Sequence, residues 1–264
     1  MDMKRLLLLV ILALIPSACA LSGGPSAKAP VEVSGVLLGK TVLQGSVVMT
    51  GDILIPFGSR LIIRPGTTIV VRNSESTKID PEYLSAQTEL LVRGSLSVEG
   101  EPDAVVSFIP ETAVAAGEVA WAGIILDGAT ETKIENARLT QPDTGLLIID
   151  SSPEITHNRI SRARYGIVIQ GGNARILGNE ITLGEGGIFC WNQANPYLKD
   201  NLVVANDEEG IVVDRSSKPY LDRNIVSGNS IGLVVPEHLP YDPTMIAGNQ
   251  VNIRLLKNRV EVLP

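Results

Sequence analysis

The chain of 264 residues has only two cysteines, Cys19 and Cys190, two histidines and 4% aromatic residues. With Cys19 in a leader region, no intramolecular disulfide framework is available to the folded body, so packing must stabilise it. The scarcity of aromatics excludes a core built on large rings and leaves an aliphatic one. Two histidines, His157 and His238, neither in register with a carboxylate or nucleophile, leave little for acid–base or zinc chemistry. The net charge is −7, with no basic run in the body, which excludes the electrostatic footprint of a nucleic-acid partner. No phosphate-binding glycine loop, zinc spacing or calcium-binding nonapeptide is present.

What is present is punctuation and repetition. Glycine (25) and proline (16) divide short β-rich runs such as Val47–Met49, Ile53–Ile55, Leu61–Ile63 and Thr68–Val71. From Lys133 to Asn249 the chain repeats about every 22 residues: an aliphatic residue, an Asn three places on, a second aliphatic, a polar turn, then Gly and three mostly aliphatic residues. The Asn column is Asn158, Asn179, Asn201, Asn224 and Asn249, with steps of 21, 22, 23 and 25. The Gly column is Gly145, Gly166, Gly187, Gly210 and Gly232, with steps of 21, 21, 23 and 22. Two columns keeping phase while their surroundings vary predict stacked rungs: an all-β, single-stranded parallel β-helix with about 22 residues per rung.

In such a stack, Ile155, Ile176, Leu198, Leu221 and Ile246 are predicted to form one inward column, and Ile160, Ile181, Val203, Val226 and Val251 another. Cys190 falls in the inward column Leu126, Ile148, Ile169, Cys190, Val213 and Val235, which makes it a core thiol. The Asn column is read as a structural ladder at a tight turn, where Asn tolerates left-handed backbone and its amide bonds the amides above and below. Alternation turns Ile125, Leu147, Val168, Phe189, Val212 and Val234 outward, an apolar stripe that a loop, the C-terminal tail or a protein partner would cover.

The start of the chain combines Lys4 and Arg5 with an apolar run, Leu6–Ile15, which is too short for a spanning helix of about 20 residues. It reads as an export signal over 1–18. Two cleavage readings stand: Ser17-Ala18-Cys19 resembles the end of a bacterial lipobox, with Cys19 lipidated, although Pro16 departs from its usual Leu; Ala18-Cys19-Ala20 also suits ordinary cleavage after Ala20. Residues 19–30 read as a flexible tether. Residues 31–264 read as one domain with a loop insertion at 72–89.

The succession TGDILIPFGSRLIIRPGTTIVV, LLVRGSLSVEGEPDAVVSFIP, WAGIILDGA and the Asn and Gly-Ile repeats resembles secreted right-handed parallel β-helix proteins. These form the pectate-lyase-like superfold, in its carbohydrate-binding and sugar-hydrolase repeat group. The resemblance covers about Val36 to Val251 and is specific for fold, while the superfold hosts lyases, hydrolases, epimerases, adhesins and non-catalytic proteins. The sequence carries neither the paired-Asp and Gly-His-Gly lines of polygalacturonases nor the Asp-His tract of pectate lyases, which argues against an enzyme.

Three functional readings follow. The first is an exported envelope protein that binds a polysaccharide or other envelope component without turning it over, using Tyr197 and Tyr220, with Trp191, as a sugar platform. The second is a lyase or hydrolase using the outward carboxylates Asp127, Asp150 and Asp214, of which Asp127 and Asp150 fall nearly in register as a carboxylate pair or calcium site. The third is an assembly protein acting through the apolar stripe. No cofactor other than calcium is expected. The expected partners are a polysaccharide or envelope protein, and a membrane through the N-terminal lipid, with the body facing periplasm or exterior.

Overall fold

The computed structural model describes residues 29–73 and 85–257. The expected export signal, Cys19, most of the expected tether and residues 74–84 of the expected insertion lie outside the described residues. Within them every strand pairs in parallel, and no α-helix occurs; the one helical element is the 3-10 turn Pro243–Met245.

The chain winds through three faces per turn. Sheet 1 holds eight strands, from Lys40–Leu43 through Arg60–Ile63, Ser95–Glu99, Lys133–Glu135, Glu154–Thr156, Arg175–Leu177 and Tyr197–Lys199 to Tyr220–Asp222. Sheet 2 runs through Thr68–Val71, Val106–Pro110, Ala137–Thr140, Arg159–Ser161, Glu180–Thr182, Leu202–Val204 and Ile225–Ser227. Sheet 3 runs through Glu89–Val92, Trp121–Asp127, Pro142–Ile149, Tyr165–Gln170, Gly186–Trp191, Glu209–Val213 and Ile231–Pro236, and ends on Val251–Leu256. Sheets 2 and 3 join into one array of 17 strands through Val31–Val36 and Ser46–Ile55, which bend across both.

β-branched and aliphatic residues at alternate positions fill the interior as columns at the strand spacing of about 4.8 Å. On sheet 3, Ile53, Leu90, Ile124, Leu146, Ile167, Ile188, Ile211 and Leu233 stack in register and are all buried. Each such side chain stabilises the fold by about 1.5–3 kcal/mol through burial. Trp121 stacks on Phe108 within the same core, its indole N–H donating to the Thr140 carbonyl at 3.0 Å. Cys190 is fully buried in its column, and burial drives its thiol pKa well above the ordinary range, so it stays protonated.

The corner between sheets 1 and 2 is an amide ladder. Oδ1 of Asn179 accepts from the backbone N–H (2.9 Å) and Nδ2 (3.0 Å) of Asn158, while Nδ2 of Asn179 donates to the Ile155 carbonyl (2.9 Å) and to Oδ1 of Asn201 (3.0 Å). Asn201 and Asn224 repeat the pattern, with Nδ2 to Oδ1 at 2.8 Å. The left-handed residue is the one before each asparagine, not the asparagine as expected: His157, Gly178, Asp200 and Arg223 have φ of 55°, 63°, 53° and 50°. This turn aims the amide inward, where its donors and acceptor meet equivalent groups of the next rung.

Asn249 does not cap that ladder. It joins a second one at the corner between sheets 2 and 3, where Asn206, Asn229 and Asn249 bond in series at 3.0 Å and the Asn249 N–H donates on to Asn252 Oδ1 at 3.1 Å. Ile246 accordingly stacks on Val226, and Val251 pairs with Ile231 and is 45% exposed, so neither occupies the inward column expected of it. Both corners are spelled aliphatic-x-x-Asn, as Leu221 to Asn224 and Val226 to Asn229 show. The last turn omits the sheet 1 strand, which lets Asn249 be taken for the other corner.

The glycine column marks the entry to sheet 3, where neighbouring backbones close in. A Cβ at Gly187 would collide with the Gly210 carbonyl oxygen and the Val203 side chain, and one at Gly145 would lie 2.5 Å from the Gly166 oxygen and 2.6 Å from Ile160 Cγ2.

The outward stripe on sheet 3 is not an open surface. Ile125, Val168, Phe189 and Val234 are 3–7% exposed, and Leu147 and Val212 are half-buried. Toward the N terminus Leu54 and Leu91 extend it, packing with Ile125, Leu147 and Ile149 as a second apolar cluster. The Phe189 ring lies between Tyr165 and Trp191, at centroid distances of 5.1 and 5.4 Å, in space that Gly186 leaves free.

Candidate functional site

The outer face of sheet 1 is built from residues flanking the inward Ile155, Ile176, Leu198 and Leu221. Lys133, Glu154, Arg175, Tyr197 and Tyr220 follow one another in register on it. Lys133 reaches Glu135 at 2.9 Å and Glu154 at 3.9 Å; the hydrogen bond to Glu135 raises the lysine pKa against a small burial effect. The Arg175 guanidinium lies 5.4 Å from the centre of the Tyr197 ring, and Lys199 Nζ lies 5.9 Å from it. The Tyr197 hydroxyl donates to Asp222 Oδ2 at 2.9 Å, which fixes the ring. Tyr220 tilts against it, centroids 5.5 Å apart, and is 66% exposed.

Sheet 1 ends at Tyr220–Asp222, one rung before sheet 3. The chain crosses the vacant position as an irregular segment that buries Leu239 and Met245 and packs Tyr241 against the core. A concavity of about 250 Å³ remains between the two, lined by Pro219, Tyr220, Leu221, Pro240, Tyr241 and Asp242. Asp242 caps the 3-10 turn, and hydrogen bonds from Thr244 hold its carboxyl below the usual range. Tyr241 was not among the sequence candidates; its signal is the step of 23 residues from Tyr197 to Tyr220 and 21 from Tyr220 to Tyr241.

Of the outward carboxylates, Asp127 and Asp150 lie on adjacent rungs offset by one residue, and Asp214 lies far from both. Asp127 accepts from Arg93 Nε at 2.9 Å and pairs in register with Ile149, not with Asp150. Asp150 sits one residue further on, in left-handed backbone at φ 44°, its carboxylate lying over Gly171 of the next rung. Asp214 is four rungs from Asp127, about 19 Å along the axis. It accepts from the backbone N–H groups of Asn192 (3.0 Å), Ser216 (3.0 Å) and Ser217 (2.8 Å). Burial opposes its ionisation, yet the hydrogen bonds from Ser217, Asn192 and Ser216 prevail and hold its pKa below the usual carboxylate range. Asp214 is thus committed to its own turn. Among the described residues no group of three or more His, Cys, Asp or Glu is placed to hold a metal ion.

Trp191 packs on Phe189 at the edge of sheet 3, so it belongs to the Tyr165–Phe189–Trp191 cluster and not to the tyrosine pair.

The parallel stack is matched at the level of families as well: residues 118–251 fit the model of the right-handed β-helix region. The chain belongs to the right-handed β-helix family. No curated protein and no solved structure matches it. In this β-helix the matched span holds both asparagine ladders and the Tyr197–Tyr220 pair.

Proposed function

We propose that this β-helix binds a polysaccharide without turning it over, on the face formed by Tyr197, Tyr220 and Tyr241. The observation that carries the reading is an exposed Tyr220 ring, braced by Tyr197 and opening onto a concavity of about 250 Å³. Aromatic faces pack against the C–H surfaces of sugar rings, and a braced ring loses little entropy on binding. Asp127 is paired with Arg93, and Asp214, about 19 Å away along the axis, is held in its own turn, which favours binding over hydrolysis or elimination.

Export and anchoring through Cys19 belong to the same proposal and rest on the leader sequence. A lipid on Cys19 would hold the β-helix at a membrane, with the tyrosine face toward the C-terminal end of the stack.

Screening the protein against a panel of neutral and acidic glycans tests the reading, with binding and released or unsaturated products both measured. We expect a bound glycan whose affinity falls at least about tenfold in Tyr220→Ala, the loss of one stacking contact. Product release would move the reading to an enzyme, and undiminished binding by Tyr220→Ala would remove the tyrosine face from it. Membrane fractionation of Cys19→Ser tests the anchor: retention in the membrane would contradict lipidation there.

A further inference from the structure

The corner between sheets 1 and 2 carries a separate concavity of about 240 Å³, three rungs or about 14 Å toward the N terminus from Tyr220. Its walls include Arg138 and Arg159 from sheet 2, His157 from the corner, Pro102, Gly178 and Glu180. Arg138 and Arg159 are direct register partners, both outward and exposed. Like charges facing each other across a ladder are unfavourable. Elsewhere on these faces the chain joins opposite charges, as in Lys133 with Glu154, Arg64 with Glu99 and Arg223 with Asp200.

Arg159 is compensated, since Glu180 accepts from its Nε at 2.9 Å and lies 2.7 Å from its terminal nitrogen. Arg138 is not: its neighbours in register are Arg159 and Ser107, and it has no carboxylate partner among the described residues. The His157 ring is placed by the next rung, where a Cβ on Gly178 would lie 3.1 Å from its Cδ2 and 3.2 Å from its Nε2. The glycine therefore leaves room for the imidazole at the corner, where it lines the same concavity as the two arginines. On a chain of net charge −7, this is a concave spot with a surplus of donors.

We propose that Arg138, His157 and Arg159 bind an oxyanion group, a carboxylate, sulfate or phosphate, in this corner concavity. The free fork of Arg138 supplies paired N–H donors matched to such a group, and His157 supplies a third donor. The volume lies below the roughly 300–1,000 Å³ of pockets for drug-sized ligands, so the occupant is one inorganic ion or one acidic sugar unit. The site is independent of the tyrosine face.

Calorimetric titration of the full chain with inorganic phosphate, sulfate and glucuronate at low ionic strength tests the proposal. One site is expected, with Kd about 1 mM or tighter for at least one probe. Arg138→Gln should weaken it at least about tenfold, and Arg254→Gln, on the final strand, should leave it unchanged. Tighter binding of glucuronate assigns the site to a sugar carboxylate; equal or tighter binding of phosphate or sulfate assigns it to a free oxyanion. A second readout needs no variant: with only two histidines in the chain, the ring resonances of His157 should shift on adding the bound probe while those of His238 stay fixed. No binding by any probe, or wild-type affinity in Arg138→Gln with the His157 resonances unmoved, would overturn the proposal.

Discussion

The inner corners and the outer face of sheet 1 repeat along the same axis at the same spacing, yet one is built of a single residue type and the other is not. At the corners asparagine stacks on asparagine, because a primary amide both donates and accepts, so a column of identical residues satisfies itself. On the outer face Lys133, Glu154, Arg175, Tyr197 and Tyr220 succeed one another. A carboxylate or guanidinium cannot stack on its own kind without repulsion, so charged columns must vary in sign. Uniform columns therefore report the fold. Departures in the variable columns, an exposed ring on Tyr220 or two arginines in succession at Arg138 and Arg159, are where function is to be sought.

The largest expected effect comes from breaking a corner in its middle. Asn201→Ala removes the acceptor of the Asn179 N–H and Nδ2 and the donor to the Ile176 carbonyl and Asn224 Oδ1, all buried. Urea unfolding should register a loss of about 3 kcal/mol. Gly187→Ala, which forces a methyl into the Gly210 carbonyl and Val203, should cost about 2 kcal/mol on the same measurement. Asn249→Ala, half-buried near the last turn of the second ladder, should cost about 1 kcal/mol, which sharpens the contrast between a buried middle and a more exposed terminal turn.

Charged groups should matter less and in a pH- or salt-dependent way. The Asp214 pKa is depressed in the fold, so its carboxylate contributes stability above the unfolded value of about 3.9, and that stability is lost as pH falls through the lower folded value. Asp214→Asn should therefore flatten the acid limb of a stability–pH curve. Asp200 shares that sign, through its hydrogen bond from Arg223. Smallest of all, Arg159→Gln breaks an exposed pair with Glu180 and should cost about 0.2–1 kcal/mol at low salt and less at high salt.

The columns from Asn158 to Asn224 and from Gly145 to Gly232 were legible in the sequence because each position has one structural task. The end of the repeat was not. Ile246, Asn249 and Val251 spell a corner without saying which, and only the missing sheet 1 strand tells them apart. The apolar stripe was legible as outward and as needing cover, but alternation does not say whether that cover comes from the chain, and Ile125 and Phe189 are already buried within it. The tyrosine pair was visible from its register, whereas Tyr241 lies in an irregular segment where no strand pattern points to it. The one-residue offset between Asp127 and Asp150 agrees with their near register in the sequence, whereas the Arg93 partner of Asp127 has no periodic signal.

Asn201→Asp tests the central claim most directly, since it keeps the shape and the acceptor while removing the donor and adding a charge. In the fold this buried carboxyl has Asn224 Oδ1 and the Ile176 carbonyl before it and no cation to pair with, so its pKa should rise above the unfolded value. The stability difference between variant and wild type should then be largest near neutral pH, about 3–5 kcal/mol, should shrink as pH falls through the raised folded pKa toward about 4 and the protonated carboxyl donates again, and should change no further below that. A variant as stable as wild type at neutral pH, or a difference that does not change with pH, would contradict the account that self-complementary amides hold the corners.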